Sequence, residues 1–178
     1  MGSHMVSLVI PAYNEGERLP PYMAQLVEEG LRHPSPAVEL IVSDDGSAPE
    51  HARRLREYAG AAQDALARAA SPHRIAYVAA ERNGGKGSAI RRGWHHAAPE
   101  AEWLGFLDAD GSVKAGEVFR LTAQAAASPD VDVLAGSRIA MAGRLVMRSR
   151  LRHLQGRLFA ALAEQQLQLR CYDTQCRV

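Results

Sequence analysis

A repeated alternation constrains this chain most. Short apolar runs of strand length are each followed by a polar turn, and helical spacing then takes over. The runs, rich in Val, Ile and Leu, occupy residues 6–10, 38–42, 75–79, 103–107 and 131–134. Each is closed by a turn carrying Gly or polar side chains. Residues 19–31 place Leu19, Met23, Leu26 and Val27 near a helical period. Ser47-Ala48-Pro49-Glu50 reads as a capping box with Pro at the first helical position. It opens an Ala- and Arg-rich helix expected to break near Gly60, and Ser71-Pro72 ends the stretch that follows. Residues 88–96, 115–127 and 148–169 complete the helices, with a basic loop expected at 141–150. Strand–helix alternation of this kind predicts an α/β fold, a mostly parallel central sheet with helices on both faces. Near-continuous apolar strands agree, because parallel strands are buried on both sides.

At 178 residues the chain is the length of one domain. Met1-Gly2-Ser3-His4-Met5 reads as an expression scar, which leaves residues 6–178 as the domain. Lys plus Arg is 21 against 20 for Asp plus Glu, a balance that gives no overall pull toward nucleic acid. No apolar run reaches the roughly 20 residues a membrane span needs, and no signal peptide is evident, so a cytoplasmic location is expected. Two cysteines, Cys171 and Cys176, are too few for a disulfide framework and fit no common zinc spacing. His95 and His96 are adjacent, so on a helix they diverge and make a poor metal pair.

In parallel sheets, ligands bind outside the carboxyl ends of the strands. The turns there read Pro11-Ala12-Tyr13-Asn14-Glu15, Ser43-Asp44-Asp45-Gly46-Ser47, Arg82-Asn83-Gly84-Gly85-Lys86-Gly87-Ser88, Asp108-Ala109-Asp110-Gly111-Ser112 and Gly136-Ser137-Arg138. Asp108 and Asp110, one residue apart at a strand end, can share a divalent cation. Carboxylate oxygens suit Mg²⁺ or Mn²⁺, which also take oxygens from a diphosphate. Residues 83–88 offer backbone N–H groups, Lys86 and a helix N-terminus, an environment that favours phosphate. The spacing is not that of a P-loop, and the first turn lacks the glycines of a dinucleotide site. Asp44 or Asp45 can accept the ring N–H of a nucleobase or cap the helix beside Ser47. A cation, a diphosphate and a base-reading carboxylate together describe a nucleoside diphosphate.

These turns, in this order, resemble the family 2 glycosyltransferases of GT-A fold. The similarity rests on residues 6–15, Asp44-Asp45-Gly46-Ser47, Asn83-Gly84-Gly85-Lys86-Gly87 and Asp108-Ala109-Asp110-Gly111. Asp173-Thr174-Gln175-Cys176 resembles a motif of the dolichyl-phosphate β-glucosyltransferase branch, whose sister branch is the dolichol-phosphate mannose synthases. The resemblance implies a single GT-A, Rossmann-like domain and inverting, metal-dependent transfer of a sugar from a nucleotide sugar to a polyprenyl or dolichyl phosphate. UDP-glucose as donor rests on residues 173–176 alone. Pro11, Ala12, Tyr13 and Glu15 would line the nucleoside pocket, with Glu15 near the ribose. Asp45, beside Asp44, would read the base, and Lys86 would face the phosphates. Asp108, Ala109 and Asp110 would form the metal-and-diphosphate site for Mg²⁺ or Mn²⁺, with Asp110 and Asp173 the catalytic carboxylates. Arg138, Arg148 and Arg152 would meet the sugar or the acceptor phosphate. Peripheral association with the inner face of a membrane and self-association are further expectations.

The pattern is departed from in two places. Ala48 and Pro49 follow Asp-Asp-Gly-Ser where the family has an acidic or polar residue, and Arg177-Val178 replaces a Gly-Phe-Lys continuation. The C-terminal part of the domain is therefore expected to be missing. Three alternatives stand beside this reading. Residues 107–112 resemble the nucleophile loop of haloacid dehalogenase-type phosphatases, but that loop follows the first strand of its domain, and four runs precede Asp108 here. A non-catalytic nucleotide-sugar-binding module is the second. A nucleotidyltransferase is the third, although Glu15-Gly16-Glu17-Arg18 is a poor version of its basic glycine loop.

Overall fold

The computed structural model describes residues 5–136. All but the last two of these belong to the first of two compact units. In chain order they form β1 (Met5–Ala12), α1 (Leu19–Arg32), β2 (Ala37–Asp44), α2 (Pro49–Arg68), β3 (Arg74–Ala79), α3 (Lys86–His95), β4 (Ala101–Phe106) and α4 (Ala115–Ala126). The sheet has the order β3-β2-β1-β4, and every pairing is parallel. The expected α/β class with a parallel sheet is the observed one.

Alternation along β1 and β2 decides what each face carries. Val6, Leu8 and Ile10 of β1 and Val38, Leu40 and Val42 of β2 pack with Leu19, Met23 and Leu26 of α1, Leu55 and Leu66 of α2, and Val118 and Phe119 of α4. Each fully buried aliphatic side chain in this cluster contributes roughly 1.5–3 kcal/mol. The opposite face holds Val9 and Ser43 against α3. A Cβ on Gly93 would lie 2.5 Å from both Val9 methyls, so glycine lets the helix approach. Ser43 Oγ donates to the Ala89 carbonyl at 2.8 Å. Helices therefore cover both faces, as expected.

Three expectations are corrected. Residues 131–134 form no strand: Val131 and Val133 are exposed, Val133 by 75%. Only two valines alternate there, and no strand of the sheet pairs with them, so the backbone gains no ladder. Nor does α2 break at Gly60. A Cβ there would meet nothing within 4 Å, so Gly60 sits on the open side of the helix. Its cost of about 1 kcal/mol relative to Ala is outweighed by burial of Leu55, Ala59 and Leu66. The N-cap of α2 is Ala48 rather than Ser47, with Pro49 in the first turn as read. The 141–150 loop and the 148–169 helix lie outside the described residues.

Candidate active site

The ladder continues past the strand ends and gathers the turns. Asp45 N–H donates to the Ala12 carbonyl, Ala80 N–H to Asp44 and Leu107 N–H to Val9, each at 2.8 Å. These bonds bring four of the five predicted turns to one edge. The fifth, at residues 136–138, leaves the described residues after Gly136.

After β1, Asn14 adopts a left-handed conformation with φ 58°, which Asn tolerates better than most residues. Its N–H donates to Ser47 Oγ at 2.8 Å, and its Oδ1 accepts the Ala48 N–H at 2.9 Å. This reciprocal pair joins the β1 turn to the start of α2. Ser47 is thereby taken from the capping role read for it. Gly16 N–H donates to His51 Nδ1 at 3.2 Å, and a Cβ on Gly16 would lie 2.8 Å from His51 Cα. Glu15 accepts from Arg18 Nε at 2.7 Å and from its Nη2 at 2.5 Å. Tyr13 is half exposed, whereas Ala12 is buried beneath the turn.

After β2, both acidic residues are buried. Asp44 Oδ1 accepts the Ser47 N–H at 3.0 Å, and its Oδ2 accepts the Tyr77 hydroxyl at 2.6 Å. Burial, and then the bond and charge of Asp44, push the Tyr77 phenol up to about 12. Asp45 takes the glycine turn: Gly85 N–H donates to Oδ2 at 2.6 Å, and Gly84 N–H straddles both oxygens at 3.2 and 3.1 Å. Arg92 of α3 pairs with Oδ1 at 3.3 Å. Gly46, at φ 73°, closes the arrangement, since a Cβ there would meet the Arg82 carbonyl carbon at 2.5 Å. The N–H groups of Gly84 and Gly85, read from sequence as open to phosphate, therefore serve Asp45. In the first turn of α3 beyond them, Ser88 N–H donates to the Gly85 carbonyl at 2.9 Å, and a Cβ on Gly87 would meet open space.

After β4, Asp108 is buried while Asp110 is exposed. Asp108 Oδ1 accepts from Lys86 Nζ, and the same ammonium lies 5.4 Å from the centre of the Phe106 ring. Asp110 Oδ1 accepts the Ser112 N–H at 2.9 Å. Gly111, at φ 67°, sits close to Tyr22: a Cβ there would lie 3.3 Å from Cγ and Cδ2 of the ring. The Tyr22 hydroxyl donates to the Val113 carbonyl at 2.5 Å. Its phenol is raised by burial first and by the Asp110 charge second. Arg18 also feels Asp110, after its larger interaction with Glu15. Ala109 is buried between the two carboxylates.

The donor set fits a hard divalent cation. Asp108 already binds a cation, the Lys86 ammonium, and Asp110 presents carboxylate oxygens at the exposed end of the same turn. Among the described residues no three His, Cys, Asp or Glu side chains converge as a protein-only metal cage. Two carboxylates that leave positions for diphosphate oxygens match how Mg²⁺ is usually held. The sequence marks Asn14 and Ser47 only as turn and cap residues, and His51, Tyr77 and Arg92 carry no local signal of their place in the site. Asp173, Arg138, Arg148 and Arg152 lie outside the described residues.

The model of glycosyl transferase family 2 matches residues 7–177, which include all of the sheet but Met5 and Val6, and every turn described above. The chain belongs to glycosyl transferase family 2. Among similar proteins of this family's chemistry is the undecaprenyl-phosphate 4-deoxy-4-formamido-L-arabinose transferase of Proteus mirabilis. It is 35% identical over 126 residues, 71% of this chain and 35% of that protein. The dolichyl-phosphate β-glucosyltransferase of Homo sapiens is 31% identical over 120 residues, 65% of this chain and 34% of that protein. The chain thus spans about a third of the length of the curated relatives it matches. Among the described residues no helix is long and apolar enough to cross a membrane.

Proposed function

We propose that this chain carries the donor-binding part of an inverting, metal-dependent glycosyltransferase. The donor is a nucleoside-diphosphate sugar, UDP-glucose in the first instance, and the acceptor a polyprenyl phosphate. One observation carries this reading: Lys86 pairs with the buried Asp108 at the sheet edge beside the α3 N-terminus, with Asp110 two residues on in the same turn. The names of the similar proteins support a lipid-phosphate acceptor.

In this reading an ionised acceptor oxygen attacks the anomeric carbon as the bond to the diphosphate breaks on the opposite side. A phosphate acceptor is already ionised at neutral pH and needs no strong general base. Were the acceptor a hydroxyl, Asp173 is the candidate base. Asp108 and Asp110 would hold Mg²⁺ or Mn²⁺, whose chemistry is neutralisation of the charge growing on the leaving diphosphate. Lys86 and the first turn of α3 add fixed positive potential at the same place. Glu15, at the β1 turn, faces the ribose, and the Asp44–Asp45 turn contacts the base. Arg138, Arg148 and Arg152 receive the acceptor phosphate. Along the sequence, Arg144, Arg148, Arg150, Arg152, His153 and Arg157 form a basic cluster suited to anionic headgroups at the inner membrane face.

Calorimetry with UDP-, GDP-, CDP- and dTDP-sugars in Mn²⁺ tests the donor. UDP-sugars are expected to bind, and binding is expected to fall sharply in EDTA. Equal affinity with and without metal overturns the metal assignment, and no binding by any nucleotide overturns the donor assignment. Salt-sensitive sedimentation with anionic vesicles, reduced in the Arg148→Glu, Arg152→Glu double variant, tests the membrane reading.

A further inference from the structure

Lys86 places its own cation at a carboxylate of the proposed metal site. Its ammonium pairs with the buried Asp108 carboxylate and rests on the face of Phe106, 5.4 Å from the ring centre. Both holding groups come from the end of β4 and the turn after it. Lys86 itself is the first residue of α3, preceded by Gly85 at φ 85°, around which a Cβ would meet nothing within 4 Å. The glycine turn is anchored through Asp45 up to Gly85 and not beyond. The Lys86 side chain remains 47% exposed, against 9% for Asp108. A long side chain with four rotatable bonds, free at its outer side, can leave one anion for another at little cost in structure.

We propose that Lys86 is a resident counter-ion that keeps the free divalent cation off Asp108. The cation then enters only with a diphosphate, to which the ammonium transfers. This rests on the reading of Asp108 and Asp110 as the metal site. The physical reason is charge. A carboxylate neutralised by an ammonium attracts a second cation weakly, and Mg²⁺ or Mn²⁺ approaching Asp108 would meet like-charge repulsion across a partly desolvated gap. A nucleoside diphosphate removes both obstacles, because its oxygens complete the cation's coordination and offer the ammonium a new partner. The Phe106 ring holds the ammonium only in the resting position, through the cation–π attraction. The consequence is ordered loading. Nucleotide-free protein binds metal poorly, and metal and nucleotide each raise the other's affinity by the same factor.

The test is Mn²⁺ titration of the full chain, read by the paramagnetic signal of free Mn²⁺, with and without UDP. For the unaltered chain, Mn²⁺ affinity is expected to rise at least tenfold when UDP is present. Lys86→Met is expected to bind Mn²⁺ about tenfold more tightly than the unaltered chain without UDP, and UDP more weakly with Mn²⁺. Lys86→Arg, which keeps the charge, is expected to resemble the unaltered chain in nucleotide-free titration. Phe106→Leu, which keeps the ion pair but removes the ring, is expected to fall between. Unchanged or weaker nucleotide-free Mn²⁺ binding by Lys86→Met overturns the counter-ion role. An Asp110→Asn variant separates the two readings. If it loads Mn²⁺ with UDP as the unaltered chain does, the metal-site assignment fails whatever Lys86 does.

Discussion

The two ends of the sheet both bury carboxylates, and they do so with opposite materials. At the amino end, Glu39 of β2 accepts the Ser7 hydroxyl at 2.5 Å and the Ala98 N–H at 2.9 Å. It also pairs with Arg74 Nε at 3.1 Å, while Arg74 reaches Glu100 at 2.8 Å. Ser7 and Arg74 are strand residues whose positions the ladder sets. At the carboxyl end, the partners of Asp45 come from a glycine turn and from Arg92 of α3, and Asp108 pairs with the long, half-exposed Lys86. A buried carboxylate demands compensation at either end. Strand-borne partners make it a structural joint, whereas a half-exposed lysine leaves Asp108 exchangeable for a ligand.

Glu39→Ala strikes the structural end and is expected to cost about 2–4 kcal/mol, because it strands a buried hydroxyl and an N–H, while Arg74 keeps Glu100. Urea denaturation measures it, and a loss below about 1 kcal/mol would show that the amino end does not depend on this carboxylate. Gly93→Ala pushes α3 off the sheet at Val9 and is expected to cost about 1–3 kcal/mol. Because α3 carries Lys86 and Arg92, nucleotide affinity should fall with it, which calorimetry at low temperature would detect.

Tyr77→Phe removes one partner of Asp44 and is expected to cost about 1 kcal/mol at neutral pH. It should also alter the alkaline limb. The Tyr77 phenol titrates near 12 in the folded chain against an ordinary 10, so its contribution is complete below pH 10 and is lost as pH rises toward 12. The variant should therefore lose less stability over that interval, with the raised Tyr22 phenol still contributing. A pH series of melting temperatures decides it. Asp110→Asn is expected to change stability by less than about 0.5 kcal/mol, since Asp110 is exposed in a turn. The same variant should lose most metal-linked nucleotide binding. Together these outcomes would set the exchangeable end apart from the structural one.

Much of this was legible in the chain. The runs at 6–10 and 38–42 are central strands because near-continuous Val, Ile and Leu demand burial on both faces, and those at 75–79 and 103–106 are the less buried edge strands beside them. The run at 131–134 fails for the same reason: two valines between aspartates and a leucine do not recruit a partner strand. Asp44, Asp45, Lys86, Asp108 and Asp110 could be picked out because acidic and glycine-rich turns after apolar strands have little structural reason to recur. Their partners could not. Asn14 meets Ser47 across 33 residues, Gly16 meets His51 across 35, and Asp45 meets Arg92 across 47.

The sequence by itself determined the alternation of elements, the parallel sense of the sheet and the edge at which polar turns collect. These follow from local period and chain direction. Only the tertiary structure decided that Asp45 takes the Gly84 and Gly85 N–H groups and that Lys86 takes Asp108. Which acceptor a donor meets depends on register between strands remote in the chain and on which groups lose water when the sheet assembles. No local pattern encodes either.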